Sequence, residues 1–144
     1  MLMDMDDITR RIHDSFDAQG LMKTLGAELT LATLGEVHIR MPFSAALSQQ
    51  HGYLHAGAVS SILDSACGYA ALTKAPPGFE VVTAEFKINL VRPAIGRRFL
   101  AIGRVQTSGK LLTVATGEVR AFQDDGEAFK VVALMQATIV NVQR

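Results

Sequence analysis

Beyond residue 79 apolar and polar positions alternate with period two almost to the end of the chain, which predicts four long strands at 80–91, 99–106, 111–122 and 128–142. Pro93 with Gly96, then Ser108-Gly109, then Asp124-Asp125-Gly126 break the pattern, and all are turn-forming residues. Breaks this short predict antiparallel neighbours in a four-stranded meander. Upstream, Leu29 and Leu31, then Val37, Ile39 and Met41, alternate on either side of Gly35. That is the signature of a hairpin of 27–32 and 36–41, which Pro42 ends. Residues 4–19 follow a different period: Ile8, Ile12 and Phe16 recur every four residues among charged side chains. A short amphipathic helix is expected there, ending near Gly20 and lying against the flank of the domain.

The stretch 56–73 is helical in period and carries one charge, Asp64, before Pro76, Pro77 and Gly78 stop it. At 100° per residue, Val59, Ile62, Leu63, Ala66 and Ala70 form one stripe, expected to pack on the sheet. Gly57, Ser61, Asp64, Gly68 and Ala71 form the opposite stripe, where small side chains let a backbone, ligand or second subunit come close. Asp64 at its centre, among Ser60, Ser61 and Ser65, argues against a membrane span. No repeat, low-complexity tract or linker separates these elements, so they should share one core as a single α+β domain over 1–144, with 1–20 as its flanking helix.

Composition narrows the classes. The 144 residues are 49% apolar and 19% charged, outside the range of a disordered chain. Fourteen basic and fourteen acidic residues cancel, and the basic ones are scattered, so neither nucleic acid nor an anionic membrane is an expected partner. Cys67 is the only cysteine, which excludes an intrachain disulfide. The first seven residues hold three aspartates and no basic residue, opposite to a secretory signal. A cytoplasmic location is expected.

Either a carboxylate on an uncharged helix is merely solvated or held by a neighbouring strand, or it is functional. The segment before the helix favours the second reading. Gln49, Gly52, His55, Ala56 and Gly57 bring an amide, an imidazole and glycine backbone to the helix N-terminus, where exposed N–H groups suit an oxygen that becomes negative. Gly57 and Asp64 are seven residues apart on one face, so about 10 Å separates them along the axis. One carbonyl cannot touch both. His55 and Asp64 point to opposite sides. A second, antiparallel copy of the helix would set the N-terminus of one beside Asp64 of the other, so a site shared between subunits of a homodimer is expected.

The run Gln49-Gln50-His51-Gly52-Tyr53-Leu54-His55-Ala56-Gly57, with Asp64 seven residues on and Gly68-Tyr69-Ala70-Ala71 closing the helix, resembles the PaaI-like hot-dog thioesterases, related to 4-hydroxybenzoyl-CoA thioesterases. Val82-Thr83 to Arg92-Pro93-Ala94 is similar to the family's first long strand, and Ser108-Gly109-Lys110 to the hairpin that follows. The resemblance implies a hot-dog fold, a dimer or dimer of dimers, and hydrolysis of acyl-CoA, with coenzyme A entering as part of the substrate and no cofactor. It makes Asp64 general base or nucleophile and the Gly57 amide the donor to the thioester carbonyl. Gln49 stands where many relatives have asparagine, and Ala56 where the family usually has the first of two glycines. Thr83 matches a hydroxyl residue thought to orient water, though it is equally an ordinary strand threonine.

The expected catalytic set is thus Asp64, Gly57, Gln49, His55 and Thr83, with Gly52, Ala56, Ser61, Arg92 and Lys110 as candidate substrate contacts. Arg92, Arg97, Arg98 and Lys110 lie at strand ends, where one or two could meet coenzyme A phosphates. Cys67, between Ala66 and Gly68 with no base near it in sequence, reads as a core residue. His13, His38 and His51 lack metal-ligand spacing, and no metal is expected. Two rival readings stand beside hydrolysis: a hot-dog dehydratase or hydratase, and an acyl-CoA binding module without turnover.

Overall fold

In the computed structural model, which describes residues 3–144, the first element is helix α1 (Met5–Ala18). Asp4 caps it by accepting from the Asp7 amide at 2.8 Å, with Asp6 and Asp7 placed favourably in the first turn. The periodic Ile8, Ile12 and Phe16 are its buried residues. The helix ends at Ala18, near Gly20 as expected, and a further short helix follows that the sequence did not announce. The chain bends at Gln19 and enters a second short helix, α2 (Gly20–Thr24), which buries Met22. A Cβ at Gly20 would meet nothing within 4 Å, so the packing there does not require glycine.

Strands β1 (Glu28–Thr33) and β2 (Glu36–Pro42) form the expected hairpin, with Gly35 at a φ of 82° in its two-residue turn. After a 3-10 turn at Ala45–Leu47 comes α3 (Ala56–Leu72), then β3 (Phe79–Leu90), β4 (Arg98–Ser108), β5 (Leu112–Phe122) and β6 (Lys130–Gln143). All strands belong to one antiparallel sheet ordered β1-β2-β4-β5-β6-β3, against which α3 packs.

That order corrects the four-stranded meander. Of those four strands only β4, β5 and β6 are consecutive neighbours, while β3 pairs with β6 and forms an edge. The reason lies in the Val91–Arg97 connection, which is no tight turn. Three strand spacings separate β3 from β4, about 14 Å. Seven residues reach up to roughly 23 Å when extended, so the segment crosses the end of the sheet instead of folding back. On the way it is pinned by backbone bonds from Val91 to Val132, Leu54 to Ala94, and Arg97 to Phe122.

The stripe Val59, Ile62, Leu63, Ala66 and Ala70 is buried in the core, as its spacing predicts. What lets α3 come so close is a pair of glycines facing each other across β4 and β5, Gly103 and Gly117. A Cβ on Gly103 would lie 2.4 Å from the Ala66 carbonyl carbon and oxygen, and one on Gly117 would lie 2.7 Å from Leu63 Cδ1. The backbone of α3 therefore rests directly on the sheet. On the opposite stripe, Ser61, Asp64 and Gly68 are partly open and Gly57 is exposed, but Ala71 is buried within its own chain.

Helix α1 lies across the C-terminal half of α3 and is tied there by Arg11. Its guanidinium donates to the carbonyls of Leu72 at 3.2 Å, Ala75 at 2.8 Å and Pro76 at 3.1 Å, and also to Phe79. One side chain thus ties together four carbonyls from the end of α3, the following turn and the start of β3.

Candidate active site

Helix α3 begins at Ala56 with His55 as its N-cap, and no residue other than glycine has positive φ among the described residues. Ala56 therefore needs no glycine: it sits in the first helical turn, where a methyl group is welcome. The His55 side chain caps the helix, its Nδ1 accepting from the Gly57 amide at 2.7 Å. An accepting Nδ1 fixes the neutral tautomer with the proton on Nε2, which makes the outer nitrogen a donor. The Ala56 amide has no partner among the described residues.

Ahead of the cap, the Gln49–Gly52 turn is closed by the Gly52 amide donating to the Gln49 carbonyl at 3.1 Å, and Gly52 takes a φ of 90°. This turn is why glycine stands there. Gln49 Oε1 accepts from the His51 amide, and the side-chain NH2 has no partner among the described residues. Gln49, Tyr53, His55, Ala56, Arg92 and Val132 border a cleft of about 520 Å³ at the helix N-terminus.

Asp64 lies elsewhere. Its Oδ1 accepts from the Thr83 hydroxyl on β3 at 2.8 Å, and it forms no ion pair among the described residues. Asp64 and Thr83 border a smaller hollow of about 240 Å³, shared with Ser65, Gly68, Tyr69 and Gln19. Thr83 is thus the strand partner of Asp64, which meets the reading of a carboxylate held by a neighbouring strand, and Asp64 Oδ2 has no partner among the described residues. The N-terminal cleft and the carboxylate hollow have no residue in common.

The other candidates separate. The Ser61 hydroxyl donates to the Gly57 carbonyl at 2.7 Å, so its proton is committed within the helix. Gly52 borders a third hollow with Tyr53 and Arg97, not the cleft. Arg92 borders the cleft while donating to the Val131 carbonyl at 2.7 Å. Arg98 is occupied structurally, stacked 4.0 Å over Phe122 and donating to the Gly126 carbonyl at 2.6 Å. Lys110 is exposed in the β4–β5 turn, and its carbonyl accepts from Asn141 at 3.2 Å.

Cys67 is fully buried, and burial, reinforced by the negative charge of Asp64, pushes its thiol up to about 12. A nucleophile needs the opposite. The residues missed from sequence are Ser15, Gln19 and Tyr69. Ser15 and Tyr69 join Gln19 in the hollow beside Asp64. Only the apolar face of α1 is visible in its periodicity, so its polar contribution to the site leaves no local signal.

Residues 51–128 match the Thioesterase superfamily, and the chain belongs to that family. A thioesterase family protein of Silicibacter pomeroyi is 44% identical with a TM-score of 0.91, covering 95% of this chain and 99% of that one. The E. coli PaaI protein from the phenylacetic acid degradation operon has the same fold, with a TM-score of 0.83 at 21% identity over 96% of this chain and 95% of that one. A presumptive esterase of Halobacterium salinarum is 30% identical over 87% of this chain and 85% of its own length. The fold is the PaaI-like hot dog, and the class of protein is a hydrolase of the thioesterase type. No helix among the described residues is long and apolar enough to cross a membrane.

Proposed function

We propose that this protein hydrolyses acyl-CoA thioesters to the free acid and coenzyme A, in a site built from the Asp64 hollow of one subunit and the helix N-terminus of another. The observation that carries the reading is the pairing of Asp64 with Thr83 in a hollow that lacks any carbonyl-polarising donor of its own helix N-terminus.

In the hydrolytic route, Asp64 Oδ2 takes a proton from water, and the oxygen attacks the thioester carbon. The carbonyl oxygen becomes an oxyanion, held by N–H groups at the partner subunit's helix start. Collapse expels the coenzyme A thiolate, which recovers the proton. In the covalent route, Asp64 attacks the carbonyl itself, expels the thiolate, and water cleaves the mixed anhydride. Thr83 serves either route by fixing the rotamer of the carboxylate. The Gly57 amide is shared with His55 Nδ1, so a carbonyl approaching it takes a bifurcated bond or displaces the cap. The unpartnered Ala56 amide, His55 Nε2–H and the Gln49 NH2 are further donors at that end, and Arg92, which borders the same cleft, is the cation proposed for a phosphate of coenzyme A.

A second copy is supported by the free edge of the sheet. Strand β3 has no neighbour beyond it, yet Val82 is 55%, Phe86 40% and Leu90 51% exposed. An apolar strand edge of this kind calls for a partner, and a two-fold copy would supply both a strand and an antiparallel α3. A hydratase would need His55 as acid-base group beside an acidic partner, but its Nδ1 is taken by the Gly57 amide. The deciding assay is coenzyme A release from a panel of acyl-CoAs by wild type and Asp64→Asn, with binding measured in parallel. Binding without release makes the protein a binding module.

A further inference from the structure

The connection from Val91 to Arg97 borders two openings. One is the N-terminal cleft with Arg92; the other is a hollow of about 360 Å³ bordered by Phe43, His51, Tyr53, Ile95, Arg97 and Gln123. Tyr53 and Ala94 border both, so the two share a wall. The hollow is mainly apolar yet open to water, with Ile95 53% and Phe43 37% exposed. The His51 and Tyr53 rings stack at 25° with centroids 6.4 Å apart. Hydrogen bonds fix the frame: the Phe43 amide donates to the Arg97 carbonyl at 2.8 Å, the Arg97 amide to the Phe122 carbonyl at 2.8 Å, and Gln123 Nε2 to the Ile95 carbonyl at 3.0 Å. Every other arginine has a carbonyl or carboxylate partner, whereas the exposed Arg97 guanidinium has none among the described residues.

An open apolar hollow with aromatic walls and one uncommitted cation suits a ligand that joins a flat base to an anion. We infer that it seats the adenosine 3′-phosphate end of coenzyme A, with the base against Phe43, Tyr53 and Ile95 and the 3′-phosphate on Arg97. The assignment deepens the thioesterase reading and rests on it. Coenzyme A carries phosphate in two places, a diphosphate in mid-chain and a monophosphate on the ribose. The connection carries two matching cations, Arg92 in the cleft and Arg97 in the adjoining hollow. At roughly 30 Å³ per water-sized group, about 360 Å³ has room for about twelve heavy atoms, the size of a purine base. Such a base stacks on aromatic side chains whatever its edge pattern, and a guanidinium grips phosphate through paired N–H groups. An open site also leaves the ribose and its phosphate in water, which spares their desolvation. The nucleotide end is thus held by the subunit that lends its helix start, not by the one that lends Asp64.

The test is kcat and KM on one acyl group carried by coenzyme A and by 3′-dephospho-coenzyme A, for wild type, Arg97→Gln and Phe43→Ala, with melting curves for each. Wild type should show a KM about threefold to tenfold lower for the phosphorylated substrate, the range of a charge-assisted bond to an exposed cation. Arg97→Gln should abolish that preference by raising KM for the phosphorylated substrate alone. Phe43→Ala should raise KM for both substrates by a similar factor, because both carry the base. Adenosine 3′,5′-bisphosphate should compete with substrate in wild type and more weakly in both variants, so Phe43→Ala decides the matter if Arg97→Gln does not fold. Equal KM values for the two substrates in wild type, a preference that survives in folded Arg97→Gln, or a folded Phe43→Ala with neither KM changed each overturns the assignment while leaving hydrolysis standing. A wild type that releases thiol from neither substrate, over the whole acyl panel, overturns the thioesterase reading and this assignment with it.

Discussion

The Thr83 hydroxyl donates to Asp64 Oδ1 at 2.8 Å across the gap between an edge strand and the middle of the central helix. This bond converts a flexible carboxylate into a positioned one, and it predicts a graded mutational series. Asp64→Asn keeps the shape and should lower kcat by about 100-fold to 10,000-fold, since it removes the base or nucleophile. Thr83→Val leaves the carboxylate but frees its rotamer; the loss of one charge-assisted bond, about 1.5–2 kcal/mol, should cost roughly 10-fold to 30-fold in kcat. Thr83→Ser should restore most of it. Steady-state coenzyme A release checks all three, and a Thr83→Val enzyme as active as wild type would leave the strand hydroxyl a structural tie only.

A second prediction concerns the glycine saddle beneath α3. Gly103→Ala places a methyl group 2.4 Å from the Ala66 carbonyl, a clash with helix backbone that no rotamer can relieve. Overpacking of this kind costs about 3 kcal/mol or more, which for a domain of this size is a Tm fall of roughly 10 °C. Gly20→Ala is the contrast, because a Cβ there meets nothing within 4 Å. Differential scanning calorimetry should find that variant unchanged or slightly more stable.

The buried thiol predicts an alkaline limit. The folded protein holds the Cys67 proton up to about 12, whereas the unfolded chain releases it near the ordinary value of 9.0. Between those values the unfolded state binds fewer protons, so stability should fall as pH rises from about 9 toward about 12 and be unaffected by this group below pH 8. Cys67→Ala should flatten that part of the urea-midpoint profile while leaving activity largely intact. In the native wild type, iodoacetamide at pH 8 should react only on unfolding. Rapid alkylation under native conditions would contradict the burial.

Much of this was legible because it lies in local periodicity. Four-residue spacing of Ile8, Ile12 and Phe16 names the buried face of α1, and one charge in an uncharged helix singles out Asp64. What escaped depends on segments distant in the chain. The partner of β3 is set by a crossing from Val91 to Arg97, and such a connection differs from a tight turn only in where it leads. Gly103 and Gly117 read as weak points in strands until a helix lies across them. Gln19 looks like a helix-terminal polar residue, and its bond to the Tyr69 hydroxyl appears only when the end of α1 is laid against a residue fifty positions later. The same holds for the Gly57 amide, whose occupation by His55 is a matter of cap geometry and not of motif.

The separation of the N-terminal cleft from the Asp64 hollow makes the strongest prediction. If a working site takes Gln49 and the helix start from one subunit and Asp64 from the other, inactive Gln49→Ala and inactive Asp64→Ala chains should rescue each other. Their mixed dimer carries one site with both lesions and one with neither. After co-expression with different affinity tags and purification through both, activity should return to about half the wild-type value per mixed dimer, provided the two sites act independently. His55→Ala serves as a second N-terminal lesion, because Gln49 also holds the His51 amide and its loss disturbs the turn. A chain carrying both Gln49→Ala and Asp64→Ala must remain inactive when mixed with either parent. If tandem-purified mixed dimers of folded parents stay as inactive as the parents themselves, both groups serve one site from one chain. The 10 Å along α3 that keeps Gly57 from reaching the carbonyl at Asp64 would then have to be bridged within a single subunit, which a rigid helix does not allow.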